Sequence, residues 1–230
     1  MDHPAAAARN NAEWCRTMCR AHGHTTGAFG PRAWTHPVRT PPYYPDAVTL
    51  RPDASVRDVL PGIDRAAPGC SVKDSFAGLD LTADGFEVLF EARWIHRPAD
   101  LPVPRPASPW QPVATPAELT AWEDAWSGGD DPMDLFPPAL LADPATTVLA
   151  GRGQDGRIVA GAVLSHSDDV VGVSNLFGPD EEAWPGCLAA VAALRPGTPV
   201  VGYEHGDDLT TALRHGFTAT GPLRVWLATG

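Results

Sequence analysis

The stretch Pro98–Pro112 carries prolines at positions 98, 102, 104, 106, 109 and 112. Proline has no backbone N–H and a fixed φ, so such a run cannot continue a helix or a central strand. It reads as a stiff, extended connection. It divides the 230 residues into four parts. Residues 1–45 are expected to form a helix and a Pro/Gly-rich arm, and 46–97 a β-α-β-β region. Residues 98–109 are the linker, and 110–230 a larger domain.

Both sides of the linker hold enough apolar residues for a core, since 43% of the chain is hydrophobic and eight Trp are present. The formal net charge of -11 argues against nucleic acid, whose phosphates are neutralised by Lys and Arg. Lys73 is the only lysine. No apolar run approaches the roughly 20 residues of a membrane span. Ala5–Ala8 has no basic flank, so neither a signal peptide nor membrane attachment is expected. Cys15, Cys19, Cys70 and Cys187 are too sparse for a disulfide framework, and a reducing cytoplasm is the expected setting.

Residues 1–9 read as a loose tail. Asn10 and Asn11 then offer caps for a helix to His22, with Gly23 to end it. Trp14, Cys15, Met18 and Cys19 share a face of that helix. Gly23–Pro45 reads as an extended arm containing Pro41-Pro42-Tyr43-Tyr44-Pro45. Strands are expected at 47–51, 71–81 and 86–96, with a short helix at 55–60 that has Ser55 and Asp58 in capping-box positions.

Thr115-Pro116-Ala117-Glu118 opens the next helix, which runs to Trp126. A Gly/Asp loop and a short helix near 138–141 follow. Strands at 147–152 and 158–165 flank the turn Asp155-Gly156. Asp168 and Asp169 mark a turn before a strand at 170–177. A helix at 181–194, a buried strand at 199–204, a helix at 207–215 and one or two terminal strands at 217–227 complete the chain. The fold class is α/β (α+β), with a mixed central sheet flanked by helices.

This β-α-α-β-β-β-α-β-α-β order resembles the GNAT (N-acetyltransferase) superfamily over residues 110–230. Asp208-Leu209-Thr210-Thr211-Ala212-Leu213-Arg214-His215-Gly216-Phe217, followed by Gly221-Pro222-Leu223-Arg224-Val225-Trp226, is similar to the family's helix that ends in Gly-Phe before a terminal hairpin. Asp155-Gly156 before Ile158-Val159-Ala160-Gly161 resembles its central strand pair. The β-α-β-β region is read as a half-copy of the same fold by element order, without a residue-level repeat.

The resemblance implies acetyl-CoA as acyl donor and an amine as acceptor. It implies a bulged central strand that splays from the next, pantetheine pairing with the exposed backbone, and pyrophosphate at the following helix start. The residues so implied for the donor are Asn175, Leu176, Phe177, Gly178 and Gly186. This chain departs from the family twice. Where the family has Arg/Gln-x-x-Gly-x-Gly/Ala, it has Gly178-Pro179-Asp180-Glu181-Glu182. Carboxylates there repel a phosphate, and proline removes donors. Where many members carry a Tyr general acid, it has Ala212. Tyr203 and His205 are the nearest substitutes.

Tyr203, Glu204 and His205 close a buried-type strand. Glu204 is the candidate base, His205 a base or relay, and Tyr203 an acid. The plainer reading is a polar strand end. Ser174 and Asn175 read as a bulge before they read as ligand contacts. His166 reads as a turn residue, the Trp residues at 122, 126, 184 and 226 as core, and Glu118, Glu123 and Asp124 as a solvated face. Cys15, Cys19, His22 and His24 have zinc-ligand chemistry at an irregular spacing. Packing of the two thiols beside Trp14 and Met18 is the favoured reading, and no metal is expected.

Two functions follow as expectations. The first is an acyl-CoA-dependent N-acyltransferase of unspecified small-molecule amine. The second is a GNAT-like module without CoA binding that holds a small molecule or a protein. The sequence leaves the oligomeric state open.

Overall fold

A computed structural model describes residues 2–129, 134–167 and 169–229, with the side chains of 180 and 181 outside that description. The part of the Gly/Asp loop at 130–133, and Asp168 of the expected turn, therefore lie outside the described residues. In chain order the elements are α1 (His3–Ala21), β1 (Ala28–Phe29), β2 (Ala33–Thr35), β3 (Ala47–Thr49), α2 (Val56–Val59), β4 (Ser71–Asp74), β5 (Phe86–Arg97) and β6 (Gln111–Pro112). Then come α3 (Pro116–Ser127), β7 (Thr146–Arg152), β8 (Ile158–His166), β9 (Val171–Phe177), α4 (Asp180–Leu194), β10 (Val200–Glu204), α5 (Gly206–Arg214) and β11 (Thr218–Ala228). The second half keeps the expected order, with a 3₁₀ turn at Pro138–Ala142 in place of its second helix.

The chain divides into two compact units. The first comprises Met1–Ile95, Tyr203–Leu209 and Ala219–Gly230. The second comprises His96–Gly202 and Thr210–Thr218. The cut after Ile95 falls just before the proline-rich run. The last strand belongs with the first unit because β11 pairs antiparallel with β4, Val225 opposite Lys73 and Leu227 opposite Ser71.

In the first unit the strands run β1-β2-β3-β4-β11-β5. β3 and β4 are parallel, joined through α2. The corresponding first pair of the second unit, β6–β7, is antiparallel, so the expected half-copy is matched in element order and not in strand direction. The expected tail at 1–9 is corrected. Asp2 accepts a hydrogen bond from Ala5 N at 3.2 Å, Pro4 sits in the first turn, and the alanines continue as good helix formers, so α1 starts at His3. Its face Ala8, Ala12, Cys15, Met18 and Cys19 is almost fully buried. The strand expected at 71–81 is also shorter. Asp74 accepts from Leu79 N at 2.8 Å and Phe76 N at 3.4 Å, which turns the chain after β4. Alternation along β4 sends Val72 into the apolar cluster with Val59, Leu81 and Trp226, and Ser71 and Lys73 to the opposite face.

Asp46 fastens the Pro-rich arm. It is 1% exposed and accepts from Arg39 Nη1 at 3.0 Å, Thr40 N at 2.8 Å and Ser71 N at 2.9 Å. A buried carboxylate persists only with such partners.

In the second unit the strands run β10-β9-β8-β7-β6, with only β9–β10 parallel. α3 opens with the expected cap, Thr115, which forms a capping box with Glu118. Trp122 donates to Leu149 O at 2.8 Å and packs edge-on against Phe136 and Phe177. Glu123 is corrected from a solvated residue. It is buried and accepts from Leu135 N at 2.6 Å, because the turn after α3 leaves donors that its carboxylate satisfies. Trp184 of α4 packs on Phe217, ring centroids 4.5 Å apart. No described helix is long and apolar enough to cross a membrane.

Candidate active site

In the second unit, β10 and β9 pair at Val200–Val171 and Val201–Gly172. β9 then continues through Val173–Phe177 with no further β10 partner in the register. On its other side β9 pairs with β8 at Ser174–Val163 and Phe177–Gly161, three steps on one strand against two on the other. That is a bulge, and Asn175 occupies it at φ 52°. Asparagine is among the few residues that tolerate this region, which is the sequence signal for the bulge. Ser174 Oγ is buried and has no hydrogen-bond partner among the described residues.

Phe177 turns its ring into the Trp122 cluster, so at this position the backbone is what remains for a ligand. Gly178 has φ 129°, and a Cβ there would meet the Ala160 Cβ at 2.5 Å. The helix that follows opens at Pro179. Pro179 has no N–H, and its carbonyl takes the N–H groups of Glu182 and Ala183, both at 2.9 Å. Glu182 is tied to the proline-rich segment, accepting from Ala107 N at 3.2 Å. Gly186 lies inside α4 and is buried against the Trp110 indole, which a Cβ would overlap. Its glycine is explained by that packing, and so is that of Gly151 on β7.

In the first unit, Tyr203 and Glu204 end β10 on opposite faces. The Tyr203 ring meets Trp94 edge-on at 5.7 Å and lies under the Lys73 ammonium at 4.2 Å. His205 packs its ring 5.7 Å from Phe90. Glu204 is largely removed from water, and burial, with a smaller contribution from Asp208, pushes its carboxyl up to about 7. A carboxyl in that range exchanges protons at neutral pH, as a general base must. Ala212, at the position of the family's Tyr, is fully buried and carries no acid.

The fold and the opened β9 edge can be compared with known structures. No protein-family model and no curated protein sequence matches the chain. Solved structures do. A GCN5-related N-acetyltransferase from Kribbella flavida aligns over 70% of this chain and 69% of its own, at 20% identity and a TM-score of 0.50. A conserved protein of unknown function from Staphylococcus epidermidis aligns over 71% and 73%, at 14% identity and a TM-score of 0.54. The fold is that of the GNAT superfamily. Saccharomyces cerevisiae N-myristoyltransferase, solved with myristoyl-CoA, also matches, at 10% identity and a TM-score of 0.50, over 71% of this chain and 52% of its own.

The other cluster singled out in the sequence does not assemble. Cys15 and Cys19 are buried in the α1 face, and burial raises their thiols to about 11 and 12. His24 instead neighbours His22 and His36, with ring centroids 6.2 and 6.3 Å away. Among the described residues no group of three or more His, Cys, Asp or Glu is placed to hold a metal. His166, expected as a turn residue, is the last residue of β8, with its Nε2 3.0 Å from Thr147 Oγ1 on β7.

Sequence reasoning missed Lys73 and Arg39. Both line a cavity of about 420 Å³ in the first unit, together with Tyr43, Phe90 and Tyr203. The available signal was a solitary lysine two residues from Ser71 in a short strand, where alternation puts both on one face.

Proposed function

We propose that the protein is an N-acyltransferase that takes its acyl group from a CoA thioester and transfers it to a small-molecule amine. The observation that carries this reading is Glu204, a carboxyl held near neutrality by burial at the end of β10 in a GNAT fold. Asn175, Leu176, Phe177 and Gly178 support the donor side. The bulge at Asn175 and the unpaired run of β9 leave backbone groups for an acyl-pantetheine arm, and Ser174 Oγ adds a buried polar atom without a partner. The helix start is unfavourable for the pyrophosphate, since Pro179 has no N–H and the carboxylates of Asp180, Glu181 and Glu182 repel a phosphate.

Glu204 takes a proton from the acceptor ammonium, freeing the lone pair that attacks the thioester carbonyl. The C–N bond forms, the C–S bond breaks, and the thiolate needs a proton that Ala212 cannot give. Solvent supplies it. His205 and Tyr203 are left with supporting roles, Tyr203 because its ring is engaged by Lys73 and Trp94.

The second reading, a GNAT-like module without CoA binding, is favoured by one observation: the run Pro179-Asp180-Glu181-Glu182 at the start of α4. Calorimetry with acetyl-CoA and CoA, paired with thiol-release assays over a panel of amines, separates the two. Binding with thiol release supports transfer. An unmoved melting temperature at millimolar CoA thioester would leave the binding module standing.

A further inference from the structure

The first unit holds a second feature that acyl transfer does not use. Ser71 and Lys73 on β4 and Val225 and Leu227 on β11 form two cross-strand pairs on one face, and these four line the cavity of about 420 Å³. Arg39, Tyr43 and Pro45 of the Pro-rich arm line it from another side. The arm is held there by Asp46, which bonds both Arg39 and the backbone N–H of Ser71. Tyr43 is 74% exposed and has φ 67°, a conformation that costs a bulky residue energy and is found at ligand clamps.

Lys73 decides what such a cavity takes. It is 5% exposed and the only lysine in the chain. Its ammonium has three donors. One bonds Asn11 Oδ1 at 3.0 Å, and the charge lies 4.2 Å over the Tyr203 ring. Among the described residues no carboxylate forms an ion pair with it. The other cation, Arg39, already has Asp46. The cavity therefore carries about one uncompensated positive charge inside walls that are mostly apolar and aromatic. A buried charge calls for an opposite charge. A phosphate dianion or a nucleotide would need more donors than this wall offers.

We propose that this cavity is a binding site for a monocarboxylate with an apolar or aromatic body, its carboxylate on the Lys73 ammonium and its body against Phe90, Val225 and Leu227. The volume is within the range of small-molecule sites. The site lies within one unit and stands whether or not the chain transfers acyl groups.

The test is binding, with no CoA present. Titrate the full chain by calorimetry with 3-phenylpropionate, and with its neutral counterparts 3-phenylpropanamide and 3-phenylpropanol. In parallel, follow the single lysine Nζ resonance of protein labelled with ¹⁵N-lysine. The acid is expected to bind at least tenfold more tightly than either neutral compound and to shift the Nζ resonance. Lys73→Met, similar in length and uncharged, is expected to lose that preference. Equal binding of acid and amide, an unmoved Nζ signal at saturating acid, or no binding of the acid at 10 mM each overturns the proposal. The wild-type comparison decides the matter even if the variant does not fold.

Discussion

The Lys73 ammonium lies 4.2 Å from the centre of the Tyr203 ring, joining β4 to the end of β10 within the first unit. A desolvated cation over an aromatic face gains about 1–2 kcal/mol. Tyr203→Phe keeps the ring and is expected to leave stability within about 0.5 kcal/mol of wild type. Tyr203→Leu is expected to lose at least the cation–π share. Urea unfolding of the two variants checks it, and equal losses would show that the ring face is not what matters.

Glu204 gives a pH prediction of definite sign. Its folded carboxyl is raised from 4.5 to about 7, so the folded state binds its proton more tightly than the unfolded chain does. The associated stability is present in full below about pH 4.5 and is lost as pH rises through about 7. Glu204→Gln should therefore gain on wild type by about 3 kcal/mol between those limits, measured by urea unfolding at both pH values. If the proposed acyl transfer holds, wild-type kcat/KM rises with pH through an apparent pKa near 7, and Glu204→Gln flattens the profile.

Asn175 sits at φ 52° in the β9 bulge. Asn175→Gly is expected to be neutral or slightly stabilising, whereas Asn175→Val should cost about 1–3 kcal/mol. Equal melting temperatures for the two variants would mean that the bulge is not held in this conformation.

Gly186 and Gly151 both approach the Trp110 indole closely enough that a methyl group would overlap it. Gly186→Ala should destabilise by about 1–3 kcal/mol through overpacking. In a Trp110→Phe background the penalty should shrink, which a double-mutant cycle in urea measures.

The four thiols are buried, and those of Cys15, Cys19, Cys70 and Cys187 are raised to between about 11 and 12. Native protein should react with Ellman's reagent only at its unfolding rate, and fully in denaturant. A fast stoichiometric burst in native conditions would contradict this burial.

Local chemistry was legible in the sequence wherever one segment contains both partners. Thr115 and Glu118 cap their own helix, Asp155-Gly156 makes its own turn, and the prolines between 98 and 109 keep that segment out of helices and central strands by themselves. Such signals, taken in order, gave the GNAT resemblance and located Asn175 and Glu204. Where local reading failed, a competing partner lay nearby in space or a better cap came earlier. Asp2 and Pro4 began α1 before Asn10, and the Asp74 carboxylate drew the backbone donors that a longer β4 would have used.

What only the tertiary structure decided rests on residues far apart in the chain. β11 joins the first unit because its pairing partner is β4, some 150 residues earlier. Gly186 packs against Trp110, and Glu182 accepts from Ala107 N. The burial that lifts Glu204, and the cavity around Lys73, depend on what surrounds a side chain in space. Burial and charge compensation are properties of the packed surroundings, and spacing along a chain does not encode them. The sequence determined which elements form and in what order. Packing determined which side chains lost their water.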